Sequence, residues 1–320
     1  MNAFQYASAT SPASARELLG DNGAYLGGGN DVLNRMKDYL VEPKTLVNVK
    51  TLGLNRIEPG PTAWKLGATV TVAELEDHSE LKRVFPGLQQ AAAEVGSRQI
   101  RNVATIAGNL SQHSRCWYYR HRDTVCLKKK GDLCYARHGE NKYHSLFSGN
   151  TCISPVVSNL SIALAVLDAT VVVFSGGQEK RMTIPEFYAK AWENPLAHNS
   201  LNAGDLVVRV EVPVQPSQKS AYQQISEKAS FDWALVSCSV SATVNGRQLS
   251  SVRIALGAIS PVPHMVKAAN DFLQGKTLDE ATADEAARLL LARAEPMEHN
   301  GYKVPMARAL VRRTLMQLIA

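Results

Sequence analysis

No apolar run in this chain of 320 residues approaches the roughly 20 residues of a membrane-spanning helix, so no membrane span is expected. Residues 1–20 lack the basic, apolar and small-residue order of a signal peptide. The expected location is cytoplasmic, or periplasmic by co-export with a partner that carries the signal. Aromatic residues make up only 7%, and no RNA-binding or helix-turn-helix signature is present, so a net charge of +6 and a pI near 9.0 are weak grounds for a nucleic-acid partner. Much of that excess lies in one cysteine-containing stretch and in Arg308, Arg312 and Arg313 near the C-terminus. There is no internal repeat, no low-complexity segment, and no Ser-His-Asp or paired-carboxylate arrangement, so no catalytic side chain is assigned. Cysteine is scarce as well, at five, and no two stand in a Cys-x-x-Cys knuckle.

Four of those five cysteines crowd into one stretch. Cys116, Cys126, Cys134 and Cys152 are separated by nine, seven and seventeen residues, among Arg115, Arg120, Arg122, Lys128, Lys129, Lys130, Arg137 and Lys142. Without a secretory signal, crowded cysteines read more readily as metal ligands than as disulfides. Four thiolates suit a tetrahedral zinc or an iron-sulfur cluster, since both use four soft anionic donors. Wide, unequal gaps bring each cysteine in on its own loop, which favours the cluster, and the nearby cations would offset its negative charge. A zinc-stapled binding protein with a basic docking lobe is the non-enzymatic alternative, and a solvated basic loop with unrelated thiols is the plainest one. Cys238 falls in an apolar strand and reads as a small core residue.

Along the chain, residues 4–7, 12–19, 25–26, 32–39 and 45–49 read as β-α-β-α-β, the order of a small parallel sheet. The turn Gly27-Gly28-Gly29-Asn30-Asp31 directly precedes the second helix, so bare backbone and a helix N-terminus could approach a pyrophosphate. It is not the spaced G-x-G-x-x-G pattern, and a plain tight turn fits it equally well. A strand over 64–70 leads into the capping box Thr71-Val72-Ala73-Glu74, and a helix over 86–95 follows. Thr105, Gly108 and Asn109 offer a ligand one hydroxyl, one bare backbone position and one amide. After the cysteines come a buried helix ending at Asp168, a hairpin of strands 170–174 and 181–184 around Gly176-Gly177, and a strand over 204–213. A boundary is expected at residues 214–220. Strands over 221–225, 234–244 and 251–259, then helices over 266–273, 279–293 and 304–319, complete an α+β unit.

The glycine turn together with RQIRNVATIAGNL, residues 98–110, resembles the flavin-binding subunit of the molybdenum hydroxylases, the xanthine dehydrogenase and carbon monoxide dehydrogenase family. The resemblance spans the chain, since EKASFDWALVS at 227–237 and RIALGAISPVPH at 253–264 resemble parts of the family's C-terminal domain. It implies an α+β chain: a two-part FAD-binding domain of the vanillyl alcohol oxidase type, residues 1–216 with subdomains 1–57 and 58–216, then a CO dehydrogenase flavoprotein-like domain, 217–320. FAD would lie between the two domains. Its site would comprise Leu26, Gly27, Gly28, Gly29, Asn30, Asp31, Val32, Leu33, Thr105, Gly108, Asn109, Ser111 and Asn159, with Lys228 facing it from the second domain. Asn159 stands where the family usually has Asp.

The insert at about 112–153 resembles the branch holding the periplasmic aldehyde oxidoreductase and 4-hydroxybenzoyl-CoA reductase flavin subunits. Members of that branch carry a 4Fe-4S cluster there, which implies Cys116, Cys126, Cys134 and Cys152 as ligands. Substrate chemistry would occur on a large molybdenum-cofactor subunit, with a small subunit carrying two 2Fe-2S clusters between them; a 4-hydroxybenzoyl-CoA reductase-type subunit and a stand-alone flavin oxidase are the alternatives. Gly28→Val is expected to block the phosphate approach and lower flavin content without unfolding the chain.

Overall fold

Three sheets organise the chain in the computed structural model, which describes every residue except Ser230, a position inside the 227–237 motif. The first is parallel: Thr45–Asn48 lies between Gln5–Ser8 and Gly23–Leu26, with helices Pro12–Leu19 and Val32–Lys37 as the crossovers. Ser11 and Ser14 form a reciprocal capping box at the start of the first helix, and Pro12 occupies its first turn, where no backbone donor is missed. Parallel strands end at the same side of a sheet, so the glycine turn after Gly23–Leu26 emerges there, directly before a helix.

The second sheet is antiparallel, in the order Ile57–Glu58, Ala63–Gly67, Leu206–Pro213, Thr170–Ser175, Gln178–Thr183. Gln178–Thr183 is its exposed edge, and Glu179, Lys180 and Arg181 there discourage pairing with another chain. The hairpin expected around Gly176-Gly177 is present, but its second strand stops at Thr183. Ile184–Glu193 is a helix not anticipated from the sequence, whose first residue the pattern reading gave to the strand; a capping box of Thr183 and Glu186, with Pro185 in the first turn, starts it. Ser79–Val84 is a second helix not anticipated, and the strand expected over 64–70 is Ala63–Gly67.

In the third sheet, Val236–Asn245 is central between Gln218–Ile225 and Gln248–Gly257. Helices Lys267–Leu273, Glu280–Leu291 and Lys303–Met316 complete this layer. Gln218–Ile225 begins inside residues 214–220, because Gln218, Lys219 and Ser220 already pair with Thr243, Ala242 and Ser241. Cys238 is fully buried in the core of this sheet.

Asn159–Val166 locks the second and third sheets together. It is apolar on all sides, and Leu160 to Val166 are all buried, so the helix has no solvent face. Burying each of its leucine, isoleucine and valine side chains contributes roughly 1.5–3 kcal/mol. Ser241 Oγ donates to Val166 O at 2.5 Å, and a Cβ at Gly257 would stand 2.7 Å from Ile162 Cγ1, so strand and helix touch nearly backbone to side chain. Helix Pro86–Ala93 makes a second tie: Tyr222 N donates to Gln90 Oε1 at 2.7 Å. Among the described residues no helix is long and apolar enough to cross a membrane.

One buried cation joins the cysteine insert to the C-terminal layer. Lys303 has no exposed surface, and its Nζ donates to Tyr143 O at 3.0 Å and Ala258 O at 2.9 Å. Burial pulls its pKa down to about 7. The unfolded chain, with a lysine near the ordinary value of about 10.4, therefore binds more protons than the folded one between these two values, and stability should rise with pH across that window. Lys303→Met should abolish that part of the rise, while costing about 1–3 kcal/mol at pH 7 by orphaning two carbonyls. Urea melts of both proteins from pH 7 to 10 test this; parallel pH profiles would show that Lys303 does not supply the slope.

Candidate functional site

Two loops face each other across a cavity of about 460 Å³. One is the glycine turn. The other precedes helix Ile106–Ser111, where Thr105 is the N-cap and its Oγ1 accepts from Gly108 N at 3.1 Å. Asn30 Nδ2 donates to Ile100 O at 3.3 Å across the gap. A Cβ on Gly28 would stand 2.1 Å from Val103 O, so this glycine is required by the second loop's backbone, before any ligand is considered. Gly29 sits at φ +78°, and a Cβ there would press on Leu33 Cδ1 at 2.9 Å.

The cavity gathers Gly27, Gly28, Gly29, Asn30, Asp31, Val32, Thr105, Gly108, Asn109, Ser111 and Asn159. Leu26 and Leu33 do not line it; they pack beneath the turn with Val32 and Met36. Lys228 lines an adjoining, more apolar pocket of about 350 Å³ with Trp117, Val156, Ile162 and Leu235. The two spaces adjoin at Arg115, Asn159, Asp232 and Trp233, which border both. Asn159 Nδ2 is already engaged, donating to Tyr222 OH at 3.0 Å and Gln224 Oε1 at 2.7 Å. Its carboxamide thus ties the buried helix to the third sheet where a carboxylate could not donate.

Asp31 is the electrostatic centre of the cavity. Arg35 Nε lies 3.0 Å from its carboxylate, Arg115 3.1 Å and Arg120 2.6 Å, and His113 N donates to it at 3.2 Å. Burial raises the carboxyl pKa, but Arg115, Arg35 and Arg120 together outweigh it and hold the group below its ordinary value. Burial pulls Arg115 down to about 10, which still leaves it charged at neutral pH. Three guanidinium groups against one carboxylate concentrate positive charge at the Asp31 end of the cavity, which Arg35 and Arg115 line together with Glu94 and Asp232. Arg115 Nε is buried without a hydrogen-bond partner among the described residues. Asp31→Ala would leave three cations crowded together, and about 3 kcal/mol of stability should be lost, as when one partner of a buried pair is removed. The wild-type contribution should also fade as pH falls through the depressed Asp31 pKa, so the gap between the two proteins should narrow in acid; a gap constant down to pH 2 would contradict the assignment.

The four clustered cysteines line one small cavity, with Lys128, His144, Tyr119 and Ser154. Cys126 and Cys152 are buried, Cys116 and Cys134 partly so, and none is in a disulfide. Burial pushes the Cys116 thiol up to about 12 and raises that of Cys152. Lys128 is tucked among them with Nζ donating to Ala197 O at 2.8 Å; burial lowers its pKa against the pull of the four sulfurs. No three His, Cys, Asp or Glu side chains among the described residues stand close enough to hold a single metal ion. The insert is not a uniform basic lobe either: Arg115 and Arg120 turn to Asp31, Arg122 lies over the Tyr39 ring, and Lys128 enters the cysteine cavity.

Arg35, His144 and Trp233 were not singled out by sequence as site residues, and Arg115 and Lys128 were read only as cations around the cysteines. Arg35 had a usable signal, since it is one helical turn from Asp31. Arg115 and His144 had none, because what they touch lies far away in the chain.

Residues 2–215 match the family described as the FAD binding domain in molybdopterin dehydrogenase, and residues 220–318 match the CO dehydrogenase flavoprotein C-terminal domain. The chain is 31% identical to the aldehyde oxidoreductase FAD-binding subunit PaoB of Escherichia coli K12, over 100% of this chain and 98% of that one. It is 25% identical to the carbon monoxide dehydrogenase medium chain of Hydrogenophaga pseudoflava, over 98% and 96%. Quinoline 2-oxidoreductase from Pseudomonas putida 86 shares the fold, with a TM-score of 0.77 at 24% identity over 99% of this chain and 97% of that chain. With both domain families matched in order along nearly its whole length, the chain belongs to the FAD-binding subunits of the molybdenum hydroxylase oxidoreductases.

Proposed function

We propose that this chain is the FAD- and 4Fe-4S-carrying electron-transfer subunit of a heteromeric molybdenum-cofactor oxidoreductase of the aldehyde oxidoreductase type. One observation carries the reading: the cavity of the four cysteines shares Cys116 and His144 with the pocket that adjoins the glycine loops, so two redox-group sites would stand wall to wall. The residues suit FAD on independent grounds. The unpartnered Nε of Arg115 and the surplus of guanidinium over carboxylate around Asp31 call for an anion such as a diphosphate, and the adjoining apolar pocket with Trp117 and Trp233 suits a flat ring. Gly27 and Gly28 let the turn close against the Thr105 loop, Thr105 fixes the facing helix terminus, and Lys228 lies at the adjoining pocket.

The cysteine cavity suits an iron-sulfur cubane better than zinc. A single tetrahedral ion requires four sulfurs on one centre, whereas a cubane places one sulfur on each of four irons and takes a wider set. When bound, the flavin exchanges electrons singly or in pairs and the cluster singly, so the chain would link a two-electron substrate reaction to other carriers. Substrate chemistry would lie on a large molybdenum subunit, with a small subunit bearing two 2Fe-2S clusters; that similar chains are named as subunits or medium chains supports this division. Purification with co-expressed partners, followed by iron, acid-labile sulfide and flavin assays, tests the reading. FAD with eight irons and eight sulfides per complex is expected, four of each on this chain and four in the small subunit's two 2Fe-2S clusters; only four of each, zinc in place of the additional iron, or substrate oxidation by the isolated chain, would overturn it.

A further inference from the structure

His144 stands at the wall between the two cavities, lining both of them with Cys116. Its Nε2 is 3.1 Å from Cys116 Sγ, while its Nδ1 is buried without a partner among the described residues. Trp117 meets the ring edge-on, with centroids 5.5 Å apart, and Tyr118 lies at 6.3 Å, so neighbouring rings restrict its rotation.

The backbone under it is held mainly by the C-terminal layer. His144 N donates to Asn141 O at 2.9 Å, and the Asn141 side chain accepts from His299 N at 3.0 Å. The fully buried Asn300 donates to His144 O at 3.3 Å and Ser145 O at 3.1 Å, and Lys303 donates to Tyr143 O. Five contacts from residues 299–303 and 141 thus position one imidazole against one sulfur.

Resting on the cluster reading above, we propose that His144 is a positioning residue for the cluster: its Nε2-H donates to the Cys116 sulfur and raises the cluster's reduction potential from the side that faces the ring pocket. A hydrogen bond to a ligand sulfur stabilises the reduced, more negative form over the oxidised one, so donors raise the potential and their loss lowers it. Cys116 is the one cysteine that borders both cavities, and His144 is in contact with its sulfur.

The test uses the intact complex. The cluster's midpoint potential is read by electron paramagnetic resonance in a redox titration of wild type, His144→Leu and His144→Gln, with iron and flavin counted in each. His144→Leu should keep both cofactors and shift the potential to more negative values, and His144→Gln, which retains an N-H donor, should recover part of the shift. An unchanged potential in an iron-replete His144→Leu protein, or an equal shift in both variants, would overturn the proposal. Should His144→Leu fail to load iron, double resonance on the reduced wild-type complex with isotope-labelled histidine decides instead: a coupled histidine nitrogen supports the hydrogen bond, and none overturns it. A wild-type complex holding no iron beyond the small subunit's two 2Fe-2S clusters would instead sink the cluster reading, and this inference with it.

Discussion

Gly28→Val is expected to strip flavin from the chain and to lower its stability together. The built Cβ would stand 2.1 Å from Val103 O, 2.8 Å from Val103 C and 2.9 Å from Ala104 Cα, all of them backbone atoms with no rotamer to yield. The facing loop cannot retreat freely, because Ala104 N donates to Ile100 O and Ala104 O accepts from Val72 N, both at 2.8 Å. The two loops must part, and overpacking of this kind costs about 1–3 kcal/mol even where a core partly relaxes. This changes the expectation drawn from sequence, in which valine only obstructed the phosphate and left the fold untouched. Gly27→Ala makes the internal comparison: its Cβ would meet the Thr105 side chain at 3.0 Å, which can shift, so flavin loss should be milder. Flavin released on denaturation, read beside a thermal melt, orders the three proteins. Full flavin content with an unshifted melt in Gly28→Val would show that the loops separate at no cost.

Cys152→Ser is expected to reduce the cluster to a 3Fe form or remove it, with FAD largely retained. Cys152 is held by its own backbone: its N donates to Asn150 Oδ1 at 2.7 Å, and its O accepts from Ser148 Oγ at 2.7 Å. A serine would occupy the same place, so the change tests the donor atom and not the loop. A hydroxyl oxygen binds iron less well than a thiolate. Cys238→Ser is the control, since Cys238 is fully buried in the third sheet's core; it should cost about 1–3 kcal/mol for a hydroxyl placed in an apolar setting and leave iron untouched. If Cys238→Ser emptied the iron while Cys152→Ser kept all of it, the ligand assignment would be wrong.

Local pattern carried the elements whose signals are local. The capping box at Thr71 and Glu74 forms as read, with Thr71 N donating to Glu74 Oε2 at 2.7 Å. The parallel order of the first sheet follows from its alternation of short apolar runs and helices. Ile184–Glu193 was lost because Met182, Thr183 and Ile184 continue the strand's β-branched and apolar character, although Thr183-Ile184-Pro185-Glu186 held the start signal for a helix. The glycine turn and Thr105 loop were legible as ligand-facing backbone, but their dependence on each other was not. The reason Gly28 tolerates no side chain is Val103, which the sequence places far away. The same holds for Asp31: its partners Arg115 and Arg120 belong to a different segment, and only folding turns three basic residues and one acid into a charged pocket.

The second sheet sets an order on events during synthesis. Ala63–Gly67 emerges early and has only the two-residue Ile57–Glu58 beside it until Leu206–Pro213 has been made, and Tyr25 likewise waits for its acceptor at Gly204 O. Between those strands the chain lays down the Thr105 loop and all four clustered cysteines. Pairings of such sequence separation are slow to close and leave apolar strands exposed meanwhile. Cofactor capture is therefore a late event on a nearly complete chain, and an expression host short of flavin or iron should lose this protein to aggregation before it loses it to inactivity.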